Sequence, residues 1–591
     1  MSKICGLISN DSNIQVPALF DQMYEASWHS CYQRREVWSD NLAGLGHLGI
    51  GAINTEQQPI VDGASGATAV FCGKIFDYDV KRQSLAEEGV SYQWQGNDGE
   101  FLSHWTSRRE MSTLREVNGI FSLAVWHPAE RKLLLTGDRY GFRPLYYYHD
   151  KQRGIVAFSS DLRGVLAAGL SSLKVNWRAV NSFLHLGHPL GEDTLFEGVY
   201  RLPPASVLTF QNNRVHISRY WSLTELPVQQ SMTVDEAIDG CVDLFRQAIK
   251  RRIKTPSVNH MLLLSGGQDS RHIAAELKQQ GLDFTAYTTT GFKPTIEDKI
   301  LASTLAQALD IPHVYVPLPK DGFLTYYWPR AHAQVDYEVD LHEWILPLVD
   351  ALPSEPHINF DGIVGDTCLS SVFLKPREYQ LAREGQLDQL IRGLVEREHW
   401  PPIFHPSIAR HLDREFLYDS IREQFEPFAG HPNLINFAYM SMRTTRAISL
   451  FAFKMVIQKA ESFYPFADND YFNFAMSIPP EFKLDGKLHR KVLDRAYPDL
   501  RGVPTTKEIN RQDYKSDEIN YLAQKRHYLR QGLGQMLQGK LSIYSRRAAM
   551  PRLLRDIAKA SFGRDDRFFL CNPANAVLAE WFDRYFPDGF D

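Results

Sequence analysis

The stretch between residues 261 and 280 constrains the fold of this chain more than any other. Four apolar residues, 261–264, stop at Ser265-Gly266-Gly267, and a helical pattern follows over residues 270–280. A buried strand that turns through glycines into a helix is typical of α/β folds, in which crossover helices join parallel strands. The stretch therefore predicts a parallel sheet.

Neighbouring segments repeat this alternation. A helix is predicted at residues 234–253, strands at 284–289 and 313–316, and a helix at 297–309, whereas residues 320–500 look mainly helical. The N-terminal part is different. Short β-branched or aromatic runs at 120–126, 132–136, 145–148, 155–159 and 206–210, separated by turn residues, predict stacked antiparallel sheets. We expect domains at 1–215 and 233–515, a linker at 216–232, and a basic, helical C-terminal extension at 516–591.

Composition excludes several classes of protein. The chain has 591 residues, a net charge of −5 and six cysteines without a C-x-x-C pair. These values argue against a nucleic-acid coat, a membrane-surface binder, a disulfide scaffold and a zinc ribbon. No apolar run reaches the ~18 residues of a membrane helix, and the first residues lack a signal-peptide pattern. We expect a cytoplasmic protein without nucleic-acid or membrane partners.

The glycine loop has the chemistry of a phosphate-binding site. In Ser265-Gly266-Gly267-Gln268-Asp269-Ser270, the glycines let main-chain N–H groups approach phosphate oxygens, and the helix start adds its positive end. The serine hydroxyls can donate hydrogen bonds, and Asp269 can hold a Mg²⁺ ion that bridges phosphates. No lysine follows, so this is not the loop of kinases and GTPases.

The S-G-G-x-D-S pattern resembles the pyrophosphatase loop of enzymes that cleave ATP between the α- and β-phosphates. Further segments, in order, resemble the asparagine synthetase family, which combines a class II glutamine amidotransferase domain with an ATP-pyrophosphatase domain. These segments are residues 138–146 (D-R-Y-G-F-R-P-L-Y), 196–204 (F-E-G-V-Y-R-L-P-P), 361–366 (D-G-I-V-G-D), 465–468 (P-F-A-D), and Lys487 to Lys491 followed by Lys507.

The resemblance implies an α/β multidomain chain. An N-terminal-nucleophile (Ntn) αββα sandwich would precede a parallel-sheet ATP-pyrophosphatase domain with a helical C-terminal part. ATP and Mg²⁺ are the implied cofactors, with Asp269 and Asp366 as the metal carboxylates. Lys507 would join them in catalysis by stabilising charge on phosphate oxygens. The implied ATP and pyrophosphate contacts are Leu264, Ser265, Gly266, Gly267, Asp269, Ser270, Thr289, Gly365 and Lys487.

The glutaminase positions depart from the family pattern. The nucleophilic cysteine after the initiator methionine is replaced by Ser2, and the glutamine-holding N-G-E is Cys72-Gly73-Lys74. No arginine follows His47, and Asp98 alone survives as an amine binder. We expect a catalytically inactive domain. An alternative is trimming that exposes Cys5 as the N-terminal nucleophile.

A second departure concerns the base that deprotonates the attacking amine. The glutamate of the family's G-E-G-x-D loop is Ile363, which cannot accept a proton. Asp361 and Glu297 are the alternatives in this chain, and the substrate itself is another.

The predicted function is ATP-dependent amide formation through an acyl-adenylate, on a small-molecule or peptide carboxylate. The degenerate glutaminase resembles that of β-lactam synthetases and lasso-peptide macrolactam cyclases. It favours a peptide substrate, with a precursor peptide and its processing protease as partners. The alternatives are an asparagine synthetase, an ammonia-dependent amidotransferase on another carboxylate such as a sugar acid, and a non-catalytic nucleotide-binding protein.

Three other patterns are interpreted as structural. The G-x-G-x-x-G at residues 44–49 lacks a following helix. His185 and His188 have no carboxylate or cysteine partners at metal-ligand spacing. The basic stretch 546–567 is interpreted as a solvated helical tail, and a docking surface for an acidic partner is the alternative.

Overall fold

The computed structural model describes residues 2–11, 13–29, 31–170, 172–254, 259–290, 297–370, 375–395, 404–506, 508–509, 521–538, 540–541, 543–561 and 572–587. The strands are β1 (Lys3–Ser9), β2 (Arg34–Ser39), β3 (Ala43–Gly49), β4 (Ile60–Val61), β5 (Thr68–Phe76), β6 (Asn118–His127), β7 (Lys132–Gly137), β8 (Tyr146–Asp150), β9 (Ile155–Ser159), β10 (Val199–Arg201), β11 (Ser206–Gln211), β12 (Arg214–Arg219), β13 (Asn259–Leu263), β14 (Thr285–Thr288), β15 (His313–Tyr315), β16 (His357–Phe360) and β17 (Ala460–Phe463).

The helices are α1 (Val16–Ser27), α2 (Asp79–Glu87), α3 (Asp98–Arg108), α4 (Leu162–Ala167), α5 (Trp177–Leu186), α6 (Val234–Arg252), α7 (Gln268–Gln279), α8 (Glu297–Leu309), α9 (Trp328–Gln334), α10 (Leu346–Ala351), α11 (Pro376–Arg383), α12 (Leu387–Val395), α13 (Pro406–Ala409), α14 (Arg414–Phe425), α15 (Leu434–Tyr439), α16 (Ser449–Val456), α17 (Asn469–Ser477), α18 (Lys487–Ala496), α19 (Tyr521–Leu537), α20 (Arg546–Ser561) and α21 (Pro573–Tyr585). None of the helices in the described part of the chain has the length and hydrophobicity that a bilayer crossing requires.

The N-terminal domain is the predicted αββα sandwich. Its six-stranded sheets have the orders β10-β8-β9-β1-β3-β2 and β12-β11-β7-β6-β5-β4, with antiparallel pairs throughout. Helices α1 and α4 pack on the first sheet and α3 on the second. Apolar side chains such as Val70, Trp126 and Phe158 fill the space between the sheets. Central strands such as β6 and β9 are buried on both faces and therefore read as apolar runs.

The predicted boundary at residue 215 is too early. β12 runs to Arg219 and pairs with β11, so the sandwich includes residues assigned to the linker. Alternating side chains on β12 are exposed, and this edge strand therefore lacks a strong apolar signal. The predicted boundary at residue 515 lies outside the described residues.

The second domain contains the predicted parallel sheet, with the strand order β15-β14-β13-β16-β17. From β13 the chain adds β14 and β15 on one side and then returns to add β16 and β17 on the other. The order therefore reverses between β13 and β16. In open parallel sheets, ligands bind outside the carboxyl ends of the strands at such a reversal. The sequence did not predict the short strands β16 and β17, which lie in the stretch interpreted as mainly helical.

A buried ion pair joins the two domains. Arg143, which follows β7, lies with Nη2 2.6 Å from Oε2 of Glu461 on β17. The other oxygen of Glu461 accepts a 2.6 Å hydrogen bond from the main-chain N–H of Ser2. Both side chains of the ion pair are almost fully buried. Separation of the two domains would leave each charge without its partner, so the pair helps to hold the domains together.

The interpretation of the C-terminal stretch as a solvated tail is wrong for the described residues. Trp581 on α21 is fully buried and packs edge-on against Phe196 of the N-terminal domain at 5.2 Å between ring centres. On α20, Ala549 and Leu553 are buried, while the arginines at 546, 547, 552 and 555 are exposed. The helix is amphipathic. Its many arginines made the stretch look solvated, although one face is apolar and buried. Phe562, Phe568 and Phe569 lie outside the described residues.

Candidate active site

The predicted phosphate loop lies at the reversal point of the parallel sheet. Leu264, at the end of β13, is buried and donates its N–H to the carbonyl of Tyr287 on the neighbouring strand, at 2.8 Å. Its own carbonyl accepts a 2.7 Å hydrogen bond from the hydroxyl of Thr288. The chain therefore leaves the sheet in a fixed direction and places residues 265–267 before the N-terminus of α7.

Hydrogen bonds between the serines shape the loop. The main-chain N–H of Ser265 donates to Oγ of Ser270 at 3.1 Å, and the two hydroxyls lie 3.1 Å apart. Oγ of Ser265 also accepts from the N–H of Gly267 at 3.2 Å. Ser265 is exposed and Gly267 is half-buried, so these polar groups face an accessible space. They lie at the positive end of a 12-residue helix, which favours an anion.

An acidic side chain outside the family-like motifs reaches this loop. Oδ1 of Asp298, in the first turn of α8, accepts a 2.8 Å hydrogen bond from the main-chain N–H of Gly266. This N–H is one of the donors expected to bind phosphate. A bound phosphate would displace the carboxylate from it, because one N–H donates to one acceptor at full strength.

The loop after β16 packs directly on Asp269. A methyl group added to Gly365 would lie 2.5 Å from Oδ1 of Asp269, and one added to Gly362 would lie 2.9 Å from its Cβ. Asp366 follows in a π-helical turn, Asp366–Ser370. The glycines are thus required for close approach, and the two predicted metal carboxylates come from adjoining loops at the ends of adjacent strands.

Asp366 lies in a low-dielectric environment with a counter-charge. Burial raises its pKa, and the nearby Arg443 guanidinium opposes this rise. Burial also lowers the pKa of Arg443, and Asp366 opposes that fall. Arg443 lies in the π-helical segment Met440–Ile448. The sequence carried no signal for this partner, because Arg443 belongs to none of the family-like motifs.

A histidine pair completes the surroundings of Asp269. Nδ1 of His489 on α18 lies 3.4 Å from Oδ1 of Asp269, and its Nε2 lies 3.3 Å from Nδ1 of His272 on α7. Burial lowers the pKa of His272 to about 3, so this imidazole is neutral near pH 7. His489 lies within the family-like motif 487–491. Its position in this motif was the sequence signal that could have identified it as a site residue.

The predicted lysines have different outcomes. The side chain of Lys487 is 75% exposed, and its described ionic neighbour is Asp485 at 3.9 Å. The contact from this motif to Asp269 comes from His489. Lys507 lies outside the described residues. The preceding residue, Thr506, donates its N–H to the carbonyl of Gly266 at 3.1 Å, which anchors that end of the chain to the phosphate loop.

Other predicted groups lie at the same end of the sheet. The hydroxyl of Thr289 is buried and has no hydrogen-bond partner among the described residues. Ile363 is buried, and its N–H donates to Oδ1 of Asp361 at 2.9 Å. Burial raises the pKa of Asp361 to about 6. Glu297, the other predicted base, is almost fully buried at the start of α8.

The acidic residues fit a magnesium ion that also binds phosphate. In the described part of the chain, no group of three or more His, Cys, Asp and Glu side chains is arranged to hold a metal. Mg²⁺ bound to nucleotides usually takes one or two carboxylates and completes its shell with phosphate oxygens and water. Asp269 and Asp366 supply such a pair.

The glutaminase positions are brought together in the sandwich, and their charges are paired internally. Nζ of Lys74 lies 3.0 Å from a carboxylate oxygen of Asp98, which is fully buried. Asp98 also accepts hydrogen bonds from the N–H of Ile75 and the amide of Asn54, each at 3.2 Å. Cys72 is buried between the sheets. Lys74 therefore neutralises the carboxylate of Asp98, the remaining candidate for binding an amine.

Cys5, the nucleophile of the trimming alternative, lies inside β1 while residues 2–4 precede it. It is in the middle of β1, paired with β3 on one side and β9 on the other, and is buried. Burial raises the pKa of its thiol. His185 and His188 are also structural: Nε2 of His185 donates to the main-chain carbonyl of Leu394, and Nδ1 of His188 donates to that of Pro189. Residues 44–49 lie within β3.

The fold and site define a two-domain protein in which an amidotransferase-type sandwich is joined to an α/β domain with a pyrophosphatase-type loop. Residues 1–221 match the model of the glutamine amidotransferase domain family, and residues 241–345 match that of asparagine synthase. In the content and order of these two domains, the chain is similar to the asparagine synthetase family.

Curated relatives agree with this assignment. The chain is 26% identical to asparagine synthetase (glutamine-hydrolysing) 3 of Bacillus subtilis over 40% of this chain and 39% of that protein. It is 30% identical to amidase chry2 of Gibberella zeae over 41% of this chain and 36% of that protein. Each of these matches spans less than two thirds of the relative. A longer match, to the asparagine synthetase of Cricetulus griseus, is 26% identical over 74% of this chain and 69% of that protein.

Proposed function

We propose that the protein is an ATP-dependent carbon–nitrogen ligase that adenylates a substrate carboxylate and transfers the acyl group to an amine. The observation that carries the proposal is the contact between the loops after β13 and β16, where Gly365 packs on Asp269. This contact brings phosphate donors and two carboxylates to the reversal point of a parallel sheet.

The residues of the chain have separable roles in this reaction. The N–H groups and hydroxyls of residues 265–270 bind the pyrophosphate end of ATP. The substrate carboxylate attacks the α-phosphate, pyrophosphate leaves, and the amine then attacks the acyl carbon and releases AMP. Lys507 stabilises charge on the phosphate oxygens. The N–H of Thr506 donates to the carbonyl of Gly266 in the loop.

Asp269 and Asp366 would hold Mg²⁺, which would neutralise charge on the phosphate oxygens. Arg443 favours the charged form of Asp366 and partly opposes the pKa rise that burial causes. Asp361 is the proposed base for the attacking amine, because it replaces the acceptor lost at Ile363 and has a pKa of about 6. A group with this pKa is largely deprotonated at neutral pH and can accept a proton.

The amine does not come from glutamine in this proposal. The Lys74–Asp98 pair removes the charge that would bind the amino group of glutamine, and Ser2 stands in place of the nucleophilic cysteine. A substrate that contains its own amine satisfies the reaction. We therefore favour a peptide that is closed into a macrolactam, with a precursor peptide and its processing protease as partners.

The second candidate is amide formation from free ammonia, on aspartate or on another carboxylate such as a sugar acid. The match to the asparagine synthetase of Cricetulus griseus, which extends over 74% of this chain, supports it. The third candidate is nucleotide binding without catalysis, which the replacement of the family's glutamate by Ile363 supports.

Release of AMP and pyrophosphate tests these candidates. Purified protein with ATP and Mg²⁺ is supplied with a peptide that has a free N-terminal amine and an internal aspartate, with aspartate and ammonium, or with aspartate and glutamine. We expect AMP with the peptide, together with a product that has lost one water. Asp269→Asn should abolish AMP release, whereas Asp499→Asn, at an exposed aspartate, should not.

The other outcomes identify the alternatives. AMP release only with aspartate and ammonium would contradict the peptide substrate and support the second candidate. Glutamine-driven synthesis would contradict the inactive glutaminase. Retained ATP binding with no AMP in any mixture would leave the non-catalytic protein.

A further inference from the structure

A cavity of about 470 Å³ lies between the two domains, and its lining includes none of the phosphate-loop residues. On one side are residues 190–193 and 200–205 of the N-terminal domain. On the other are the end of α14 and the π-helical segment Met440–Ile448. The volume lies within the range of small-molecule sites, roughly 300–1,000 Å³.

Two buried arginines form part of the cavity lining. Arg201 and Arg446 are each 3% exposed. Arg201 donates from Nη2 to two main-chain carbonyls at 2.7 and 2.9 Å. Arg446 donates from Nε and Nη2 to two others at 3.2 and 2.7 Å. These bonds fix both guanidinium groups in place.

Each of these arginines has a donor nitrogen left over. Nη1 of Arg201 and Nη1 of Arg446 are buried and have no hydrogen-bond partner among the described residues. Neither arginine forms an ion pair in the described part of the chain; Glu338, whose charge reaches Arg201, instead accepts a hydrogen bond from Tyr146. Burial and the neighbouring Arg446 lower the pKa of Arg201 to about 10. Buried charges are normally paired, so an anion in the cavity would supply the partner that these two arginines lack.

The remainder of the cavity suits an apolar body. Leu190, Trp221, Phe428 and Met440 contribute apolar lining. By contrast with the two buried arginines, Arg178 is already paired, with Asp193 at 3.2 Å and with Glu423. Arg139, Arg219 and the carboxylate of Glu192 also line the cavity, and Arg201 and Arg446 are its two buried arginines.

We propose that this cavity binds a small organic anion, with a carboxylate or phosphate group on Arg201 and Arg446 and an aromatic or branched apolar body against the other lining residues. Guanidinium groups favour both kinds of oxyanion because their N–H groups match the spacing of the oxygens. The π-helical segment that contributes to this site also contains Arg443, so the occupant contacts the element that faces Asp366. π-helical turns are frequent at functional sites.

Calorimetric titration tests the site with phenylacetate and phenyl phosphate as the two anionic probes, and with phenylacetamide as the uncharged analogue of phenylacetate. We expect at least one anionic probe to bind, and phenylacetamide to bind about tenfold more weakly than phenylacetate if phenylacetate is the preferred class. Binding should persist with ATP present, because the cavity is separate from the phosphate loop. Arg446→Gln should weaken binding about tenfold, and Arg552→Gln, at an exposed arginine of α20, should leave it unchanged.

A cavity-filling variant keeps the test valid if Arg446→Gln unfolds. Ser441→Phe places a ring in the cavity and leaves both arginines intact, and it should abolish binding at an unchanged melting temperature. Failure of both anionic probes to bind the wild-type protein would show that the arginines only clamp main-chain carbonyls, and would overturn the proposal. Binding that survives Ser441→Phe, or that ATP abolishes, would overturn it as well. Neither result depends on the ligase reaction.

Discussion

Nζ of Lys74 lies 3.0 Å from the buried carboxylate of Asp98, so the cation that replaces an expected glutamate neutralises the neighbouring anion. Lys74→Ala would leave Asp98 buried with its two hydrogen-bond donors but without its cation. Because Lys74 is itself partly exposed, we expect a loss of ~1–3 kcal/mol of unfolding free energy, less than for a fully buried pair. Urea denaturation measures it.

Lys132→Ala is the matched control for this change. Lys132 lies on β7 of the same sheet, and its ionic partner, Glu130, is 3.6 Å away and mostly exposed. We expect an effect below about 0.5 kcal/mol. Equal effects of the two substitutions would show that the Lys74–Asp98 pair does not stabilise the sandwich.

Gly365→Ala should impair the candidate active site with little effect on the fold. The added methyl would lie 2.5 Å from Oδ1 of Asp269 and 3.0 Å from the ring of Phe466, so the carboxylate or the loop must move. We expect pyrophosphate release to fall about tenfold or more, since displacement of a catalytic group by about 1 Å can cost a hundredfold. Gly393→Ala, where nothing lies within 4 Å of the added methyl, should keep full activity. Normal activity of the Gly365 variant would show that the position of the Asp269 carboxylate does not matter for the reaction.

Asp361 predicts the acid side of the pH–rate profile. Burial raises its pKa to about 6, and a base must be deprotonated to act. Activity should therefore rise as the pH increases through about 6 and level off above it. Asp361→Asn should lower the plateau and remove this inflection. An unchanged inflection in that variant would assign the base to another group.

The same shift has a consequence for stability. The native pKa of Asp361 lies above its usual 3.8, so the folded protein binds the proton more tightly than the unfolded chain. The contribution of this group to stability is thus full below about pH 3.8 and is lost as the pH rises through about 6. The melting temperature of Asp361→Asn, compared with that of the wild-type protein, should therefore be more favourable at pH 8 than at pH 4.

Trp581 should anchor the C-terminal helices to the N-terminal domain. Its fully buried ring contacts Phe196 and also lies 5.2 Å from the ring of Phe586. Trp581→Ala should cost ~3–5 kcal/mol through the cavity it leaves. Leu554→Ala, at a side chain that is 51% exposed, should change stability by less than about 0.5 kcal/mol. A small loss in the tryptophan variant, measured by denaturation, would show that this ring does not anchor α21.

The sequence by itself determined the two kinds of sheet and the position of the phosphate loop. These features are local: the strand, glycine turn and helix that surround residues 261–280 are adjacent in the chain, and their apolar pattern reports burial directly. The strands β16 and β17, of four residues each, lie within residues 320–500, which were interpreted as mainly helical, and were not predicted.

Only the tertiary structure decided which side chains meet at the candidate site. Asp269 contacts Gly365 and His489, and Asp366 lies beside Arg443, because the reversal of strand order between β13 and β16 brings distant loops to one edge. The exposure of Lys487 and the burial of Trp581 likewise depend on which elements pack together. Local periodicity specifies a strand or helix, but it contains no information on the partner that a charged or aromatic side chain acquires when distant segments fold against each other.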